Sequence, residues 1–112
     1  MVQGFDAAMR LMRSRDPQRQ EDGFAQLRAH AADYIAALIE QFENEQQDQG
    51  LRRWLLELIA EAESSAALPV LAAQLDNADE SLRESAIAGL TRLATPEARS
   101  TLWRARANGT IA

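Results

Sequence analysis

Apolar residues recur at intervals of three and four along the chain: Val2, Phe5, Met9 and Met12; Ile35, Leu38, Ile39 and Phe42; Leu68, Leu71 and Leu75. Each set marks one face of a short helix. Longer stripes lie between them, at Phe24 and Leu27, at Leu51, Leu55, Leu56, Ile59 and Ala62, and at Leu82, Ala86, Ile87, Leu90 and Leu93. Short helices therefore alternate with long ones, and no stretch shows the sustained period-two alternation of a strand. Asp side chains accept the orphan N–H groups of a first helical turn, so Asp16, Asp48 and Asp79 are the predicted starts of the long helices. Thr95 followed by Pro96 and Glu97 predicts one more helix, with Thr as the cap and Pro at its first position.

The three aspartates are separated by 32 and 31 residues, and two of the segments they open read nearly alike, Asp48-Gln49-Gly50-Leu51-Arg52 and Asp79-Glu80-Ser81-Leu82-Arg83. In that register Leu55, Leu56 and Ile59 align with Ala86, Ile87 and Leu90, and one unit earlier with Gly23, Phe24 and Leu27. Upstream, Ile35, Leu38 and Phe42 correspond to Leu68, Leu71 and Leu75 across a loop two residues longer. A fixed period of this length marks a chain of stacked helical hairpins, none of which buries its apolar face alone.

The stretch from Ala67-Leu68-Pro69-Val70-Leu71 through Leu75, Asp79, Leu82-Arg83 and Ala86 to Leu90 and Leu93 resembles a HEAT repeat of the short bacterial kind, the HEAT-like repeat of the phycobilisome lyase type. In that pattern a Pro sits early in the first helix, an Asp opens the second and a Val-Arg pair follows. Residues 33–62 lack the Pro but keep Asp48 and Leu51-Arg52, and residues 2–31 place Gln20 where the Arg belongs. The resemblance implies an all-α fold: one domain over residues 1–112, a right-handed α-solenoid of about three and a half hairpins and roughly seven helices. Its units span about 2–31, 33–63 and 65–94, with a half unit at 96–107. The second helices, over 17–30, 49–63 and 80–94, would line the concave wall. It also implies that Arg52 and Arg83 stack with neighbouring units and pair with carboxylates, Asp48 and Asp79 being within reach.

Charge divides the chain. Residues 1–20 sum to +2, residues 21–97 to −10 and residues 98–112 to +3, giving the net −5. An acidic centre repels phosphate backbones, so nucleic acid is not an expected partner. All basic residues are Arg, the residue suited to planar pairing with carboxylates. No apolar run approaches a membrane span, and the N-terminal residues lack a secretory pattern, which predicts a cytoplasmic protein.

Catalytic chemistry has little to draw on. There is no Cys and a single His, His30, near a helix end that it is expected to stabilise. Glu57 and Glu61 share a helix face, but no His or metal ligand can be placed beside them to separate their acidities. No phosphate loop, nucleophile elbow or zinc motif is present. Neither an enzyme nor a cofactor is expected. On a helical wheel Trp54 falls off the core stripe, where its counterparts are Asp22 and Ser85. It either lies flat over the edge of its own repeat or serves as a contact residue for a partner. Around it the expected surface carries Arg53, Glu57, Glu61, Glu80, Glu84 and Arg92, either as a solvated face with pairs such as Arg53 and Glu57 or as a recognition surface for a basic segment. Trp103 is expected to fold over the end of the stack as a cap.

The reading that follows is a non-catalytic protein-interaction scaffold or adaptor that binds a protein or peptide on its concave face. Partner-binding residues would be Arg53, Trp54, Glu57, Glu61, Glu84 and Arg92. Narrower alternatives are an immunity-type inhibitor of a basic toxin, a bilin lyase-related subunit or a nucleic-acid-binding HEAT-like protein. The open side of the last half unit offers a homodimer contact.

Overall fold

The computed structural model describes residues 3–112; the apolar position expected at Val2 lies outside them. Among the described residues there are seven α-helices and no strand: α1 (Gln3–Met12), α2 (Pro17–Ala29), α3 (Ile35–Asn44), α4 (Gln49–Glu61), α5 (Leu68–Ala73), α6 (Glu80–Leu93) and α7 (Pro96–Ala107). A single 3-10 turn, Ser65–Ala67, leads into α5.

The starts of α2, α4, α6 and α7 follow from capping chemistry. Asp16 accepts the N–H of Gln18 at 3.0 Å, Asp48 that of Leu51 at 3.0 Å, and Asp79 that of Leu82 at 3.1 Å. Thr95 caps α7 by accepting the N–H of Ala98 at 3.1 Å, and Pro96 occupies the first turn. Such caps contribute about 1 kcal/mol each.

Packing then orders the helices. α1 rests on α2, α3 on α4 and α5 on α6, while α2, α4 and α6 touch one another in chain order and α7 closes against α6. The helix α4 sits against α2, α3 and α6, and Leu51, Leu55, Leu56, Leu58, Ile59 and Ala60 are all buried. Leu58 lies off the stripe expected from the sequence; it is buried because α4 is walled on several sides, which widens the hidden arc beyond one face. Elsewhere the expected core residues Phe5, Met9, Met12, Leu27, Leu38, Phe42, Leu71, Leu75, Leu82, Ala86 and Leu90 are buried, and Phe24, Ile35, Ile39, Ala62, Leu68, Ile87 and Leu93 are partly so.

The end of the chain departs from expectation twice. Trp103 does not fold over the stack: α7 turns Ala98, Leu102 and Ala105 inward and leaves the indole 70% exposed. The segment after α7 returns instead, with the N–H groups of Thr110 and Ile111 donating to the Ala105 carbonyl at 2.9 and 3.2 Å, and Ile111 is buried. No helix among the described residues is long and apolar enough to cross a membrane.

Two helix crossings are close enough to require glycine. A Cβ on Gly23 would stand 2.5 Å from the Ala8 carbonyl oxygen and 2.9 Å from the Met12 nitrogen, and one on Gly89 would stand 2.9 Å from the Ala60 Cβ. Backbone atoms cannot swing aside. Gly23→Ala is therefore expected to destabilise the chain by about 1–3 kcal/mol, outweighing a helix-propensity gain of about 1 kcal/mol. Gly50→Ala, in the exposed first turn of α4 with its nearest neighbour at 3.5 Å, should be neutral or stabilising. Urea unfolding of the two variants checks the contrast.

Candidate functional site

Three ion pairs tie successive hairpins together, each running from an Arg of the earlier hairpin to a carboxylate of the later one. Arg13 meets Glu45 at 2.9 Å, Arg28 meets Glu61 at 2.7 Å and Arg53 meets Asp79 at 2.7 Å. The last replaces the expected pair of Arg53 with Glu57. Arg53 donates through both Nε and Nη2 to Asp79 Oδ2, leaving Oδ1 for the cap of α6. Asp79 thus fastens the start of α6 to α4, and its side chain is only 10% exposed.

Arg83 also differs from expectation. It does not pair with Asp79 but donates to the carbonyls of Asn77 and Ala78 at 2.7 and 3.1 Å, closing the loop before α6. Gln20 performs the same task one end of the chain away, donating to the Ser14 carbonyl at 2.6 Å, so the departure at that position preserves the contact. Arg52, the middle counterpart, lies over the Phe42 ring at 4.2 Å, and its buried Nε has no hydrogen-bond partner. Its loop is held by Glu45 instead, which accepts the N–H groups of Gln47 and Asp48. His30 occupies the C-cap of α2, with Nδ1 3.6 Å from Asp33.

The long helices α2, α4 and α6 enclose a polar cleft of about 540 Å³. Four of the residues expected at a binding surface, Glu57, Glu61, Glu84 and Arg92, line it together. The close crossing of α4 and α6 at Ala60 and Gly89 explains why a cleft forms there, since Ala60, Ser81, Ser85 and Ala88 furnish a floor of small side chains. Glu61 is 18% exposed and held by Arg28, whereas Glu57, Glu84 and Arg92 are exposed and form no ion pair among the described residues. The wall therefore offers two uncommitted carboxylates and one uncommitted guanidinium.

The other two expected residues lie elsewhere. Arg53 is engaged with Asp79. Trp54 is half-buried, edge-to-face with Phe24 of α2 at 4.8 Å between ring centroids, so it bridges two hairpins rather than lying flat over its own. Its remaining surface borders a small cavity with Met12, Gln20, Asp48, Gly50 and Leu51. Glu80 faces a separate, larger cleft of about 760 Å³ between α6 and the C-terminal tail, which Glu84 also borders. Arg28, Ser81 and Ser85 line the polar groove without having been singled out in the sequence. Arg28 follows the core residue Leu27 by one position on an exposed face of α2, and its place at the groove comes from the crossing of α2 and α4.

Among the described residues no three potential metal-ligating side chains converge. No protein-family model, curated protein or solved structure matches the chain.

Two carboxylates respond to this network. The Arg53 guanidinium, aided by the Leu82 N–H, holds the Asp79 carboxyl below its ordinary range. The N–H of Asp48, then the Arg13 guanidinium, do the same for Glu45. A carboxyl with a lowered folded-state pKa gives stability that is present above its unfolded pKa, about 4, and lost as pH falls through the folded value. Urea midpoints of the native chain should therefore fall on acidification below pH ~4, and Asp79→Asn with Glu45→Gln should flatten that part of the profile. Separately, Trp54→Ala should cost about 2 kcal/mol through loss of the contact with Phe24, a cost read from urea unfolding and absent in Trp103→Ala.

Proposed function

We propose that this chain is a non-catalytic protein-interaction module, a short right-handed α-solenoid of HEAT-like hairpins that binds a protein segment in the cleft walled by α2, α4 and α6. Support for the stacked arrangement comes from the order of contacts, since each long helix touches the next along the chain. The observation that carries the binding reading is the convergence of Glu57, Glu61, Glu84 and Arg92 on one groove, drawn from separate hairpins and with Glu57, Glu84 and Arg92 in no ion pair among the described residues.

The chemistry of the wall selects the ligand. Two exposed carboxylates over a floor of small side chains suit a Lys or Arg of the partner, and Arg92 at the edge suits a neighbouring carbonyl or carboxylate. Glu61, already bound to Arg28, orients the groove without being consumed by the ligand. A basic segment with one acidic flank is the partner that leaves fewest charges unmatched.

Affinity capture from the native host with the wild-type chain and with Glu57→Arg/Glu84→Arg tests this. A partner held by the wild type, cross-linked at the groove through a basic segment and weakened at least ~100-fold in the double variant, is the expected result. Equal retention by both chains would overturn it.

A further inference from the structure

We propose that the outward stripe of α7, formed by Arg99, Trp103 and Arg106, is a second docking surface, and that it takes an acidic α-helix of another protein. Trp103 is the large hydrophobic residue the described fold leaves exposed. A single exposed apolar side chain is ordinary. Its setting here is not, because arginine positions lie one helical turn to either side of it on the same exposed face: Arg99 four residues before and Arg106 three residues after. The two are separated by two helical turns, about 10 Å along the axis. Trp and Arg are the residue types that most often dominate binding energy at protein interfaces.

The stripe is mounted rigidly. Ala98, Leu102 and Ala105 anchor the opposite face of α7, Thr95 caps its start, and the Ile111 N–H closes its end onto the Ala105 carbonyl. Arg99 is held in place by donation to the Ala94 carbonyl, which uses only Nη1 and leaves the rest of its guanidinium for a ligand. Arg106 is exposed and forms no ion pair among the described residues. A rigid helix that fixes the spacing of the two arginine positions, with Arg99 held at Ala94, lowers the entropic cost of binding.

Charge identifies the occupant. A second copy meeting this surface by two-fold symmetry would set the same arginines against each other, which repels. A nucleic-acid backbone needs an extended run of cations, whereas two flank the indole here and the chain as a whole carries −5. A partner helix matches the geometry: carboxylates two turns apart meet Arg99 and Arg106, and an aliphatic side chain midway between them covers the indole.

The probe is a helix-stabilised peptide with glutamates at positions i and i+7 and leucines at i+3 and i+4, together with a sibling in which lysines replace the glutamates. Calorimetry on the unaltered chain measures affinity, and emission of the Trp54→Phe chain reports Trp103 alone, its fold checked by circular dichroism. The expected result is saturable binding of the glutamate peptide with a blue shift of Trp103. Its affinity should be at least ~10-fold above that of the lysine peptide and should weaken with added salt. Trp103→Ala should abolish binding, Arg106→Glu should erase the preference between the peptides, and Glu57→Arg/Glu84→Arg should leave both binding and preference unchanged, which separates this surface from the groove. Absence of saturable binding up to about 1 mM, equal affinity for both peptides, tighter binding of a single-stranded oligonucleotide, or dimerisation abolished by Trp103→Ala would overturn the proposal.

Discussion

Leu55, Leu56, Leu58 and Ile59 are fully removed from water because α4 is enclosed by α2, α3 and α6. Each such side chain contributes about 1.5–3 kcal/mol on burial, an amount no isolated pair of helices in this chain could collect. A hairpin of α3 and α4 alone would expose the faces of α4 that meet α2 and α6. Contact between hairpins therefore supplies part of the burial of α4 that its own hairpin cannot. The glycines follow from the same demand: α1 reaches α2, and α4 reaches α6, closely enough that a methyl group at Gly23 or Gly89 would collide with its neighbour.

Polar contacts set the register in which those apolar faces meet. The three inter-hairpin ion pairs all point the same way, from an earlier Arg to a later carboxylate. Pairs whose guanidinium is open to solvent contribute little energy individually. Their value is geometric, and it is greatest at Asp79, where one carboxylate both starts α6 and accepts Arg53 from α4. A slip of α6 along α4 would break the cap and the ion pair together. The loops are closed by different side chains doing comparable work: Arg83 and Gln20 reach back to loop carbonyls, and Glu45 accepts loop N–H groups.

The local features were legible in the sequence and the non-local pairings were not. Asp48 and Asp79 announce themselves because a carboxylate before an apolar stripe has one obvious use, and Leu55 and Leu90 fall on a period that only a helix explains. Arg53, by contrast, has Glu57 four residues ahead, a pairing that spacing favours, yet it turns to Asp79 because the start of the next long helix lies closer to its guanidinium. Leu58 reads as a flank position and is buried only because α4 has neighbours on several sides. Trp103 reads as a cap by its apolar bulk, whereas α7 spends its inward face on Ala98, Leu102 and Ala105, and the covering role passes to Ile111, whose return depends on backbone bonds to one carbonyl. The groove itself was partly visible: Glu57, Glu61, Glu84 and Arg92 lie on the wheel faces that meet there, while Arg28 entered only through the crossing of α2 and α4.

Helix packing also determines where opposite charges can be displayed. The acidic residues Glu57, Glu61 and Glu84 sit on consecutive long helices, so their fields add across the groove, where Arg28 pairs with Glu61 and Arg92 is the second cation. The cations of α7 lie on a helix that contacts α6 but turns Arg99 and Arg106 to solvent. A flexible chain with this composition would let arginines and carboxylates pair with one another and cancel. Here the buried faces of α4, α6 and α7 fix each helix in rotation, and neither Glu84 nor Arg106 forms an ion pair among the described residues. The display of charge at these two places on a chain of net −5 is thus a consequence of apolar packing, and it lasts for as long as Leu82, Leu90 and Leu102 hold their helices in place.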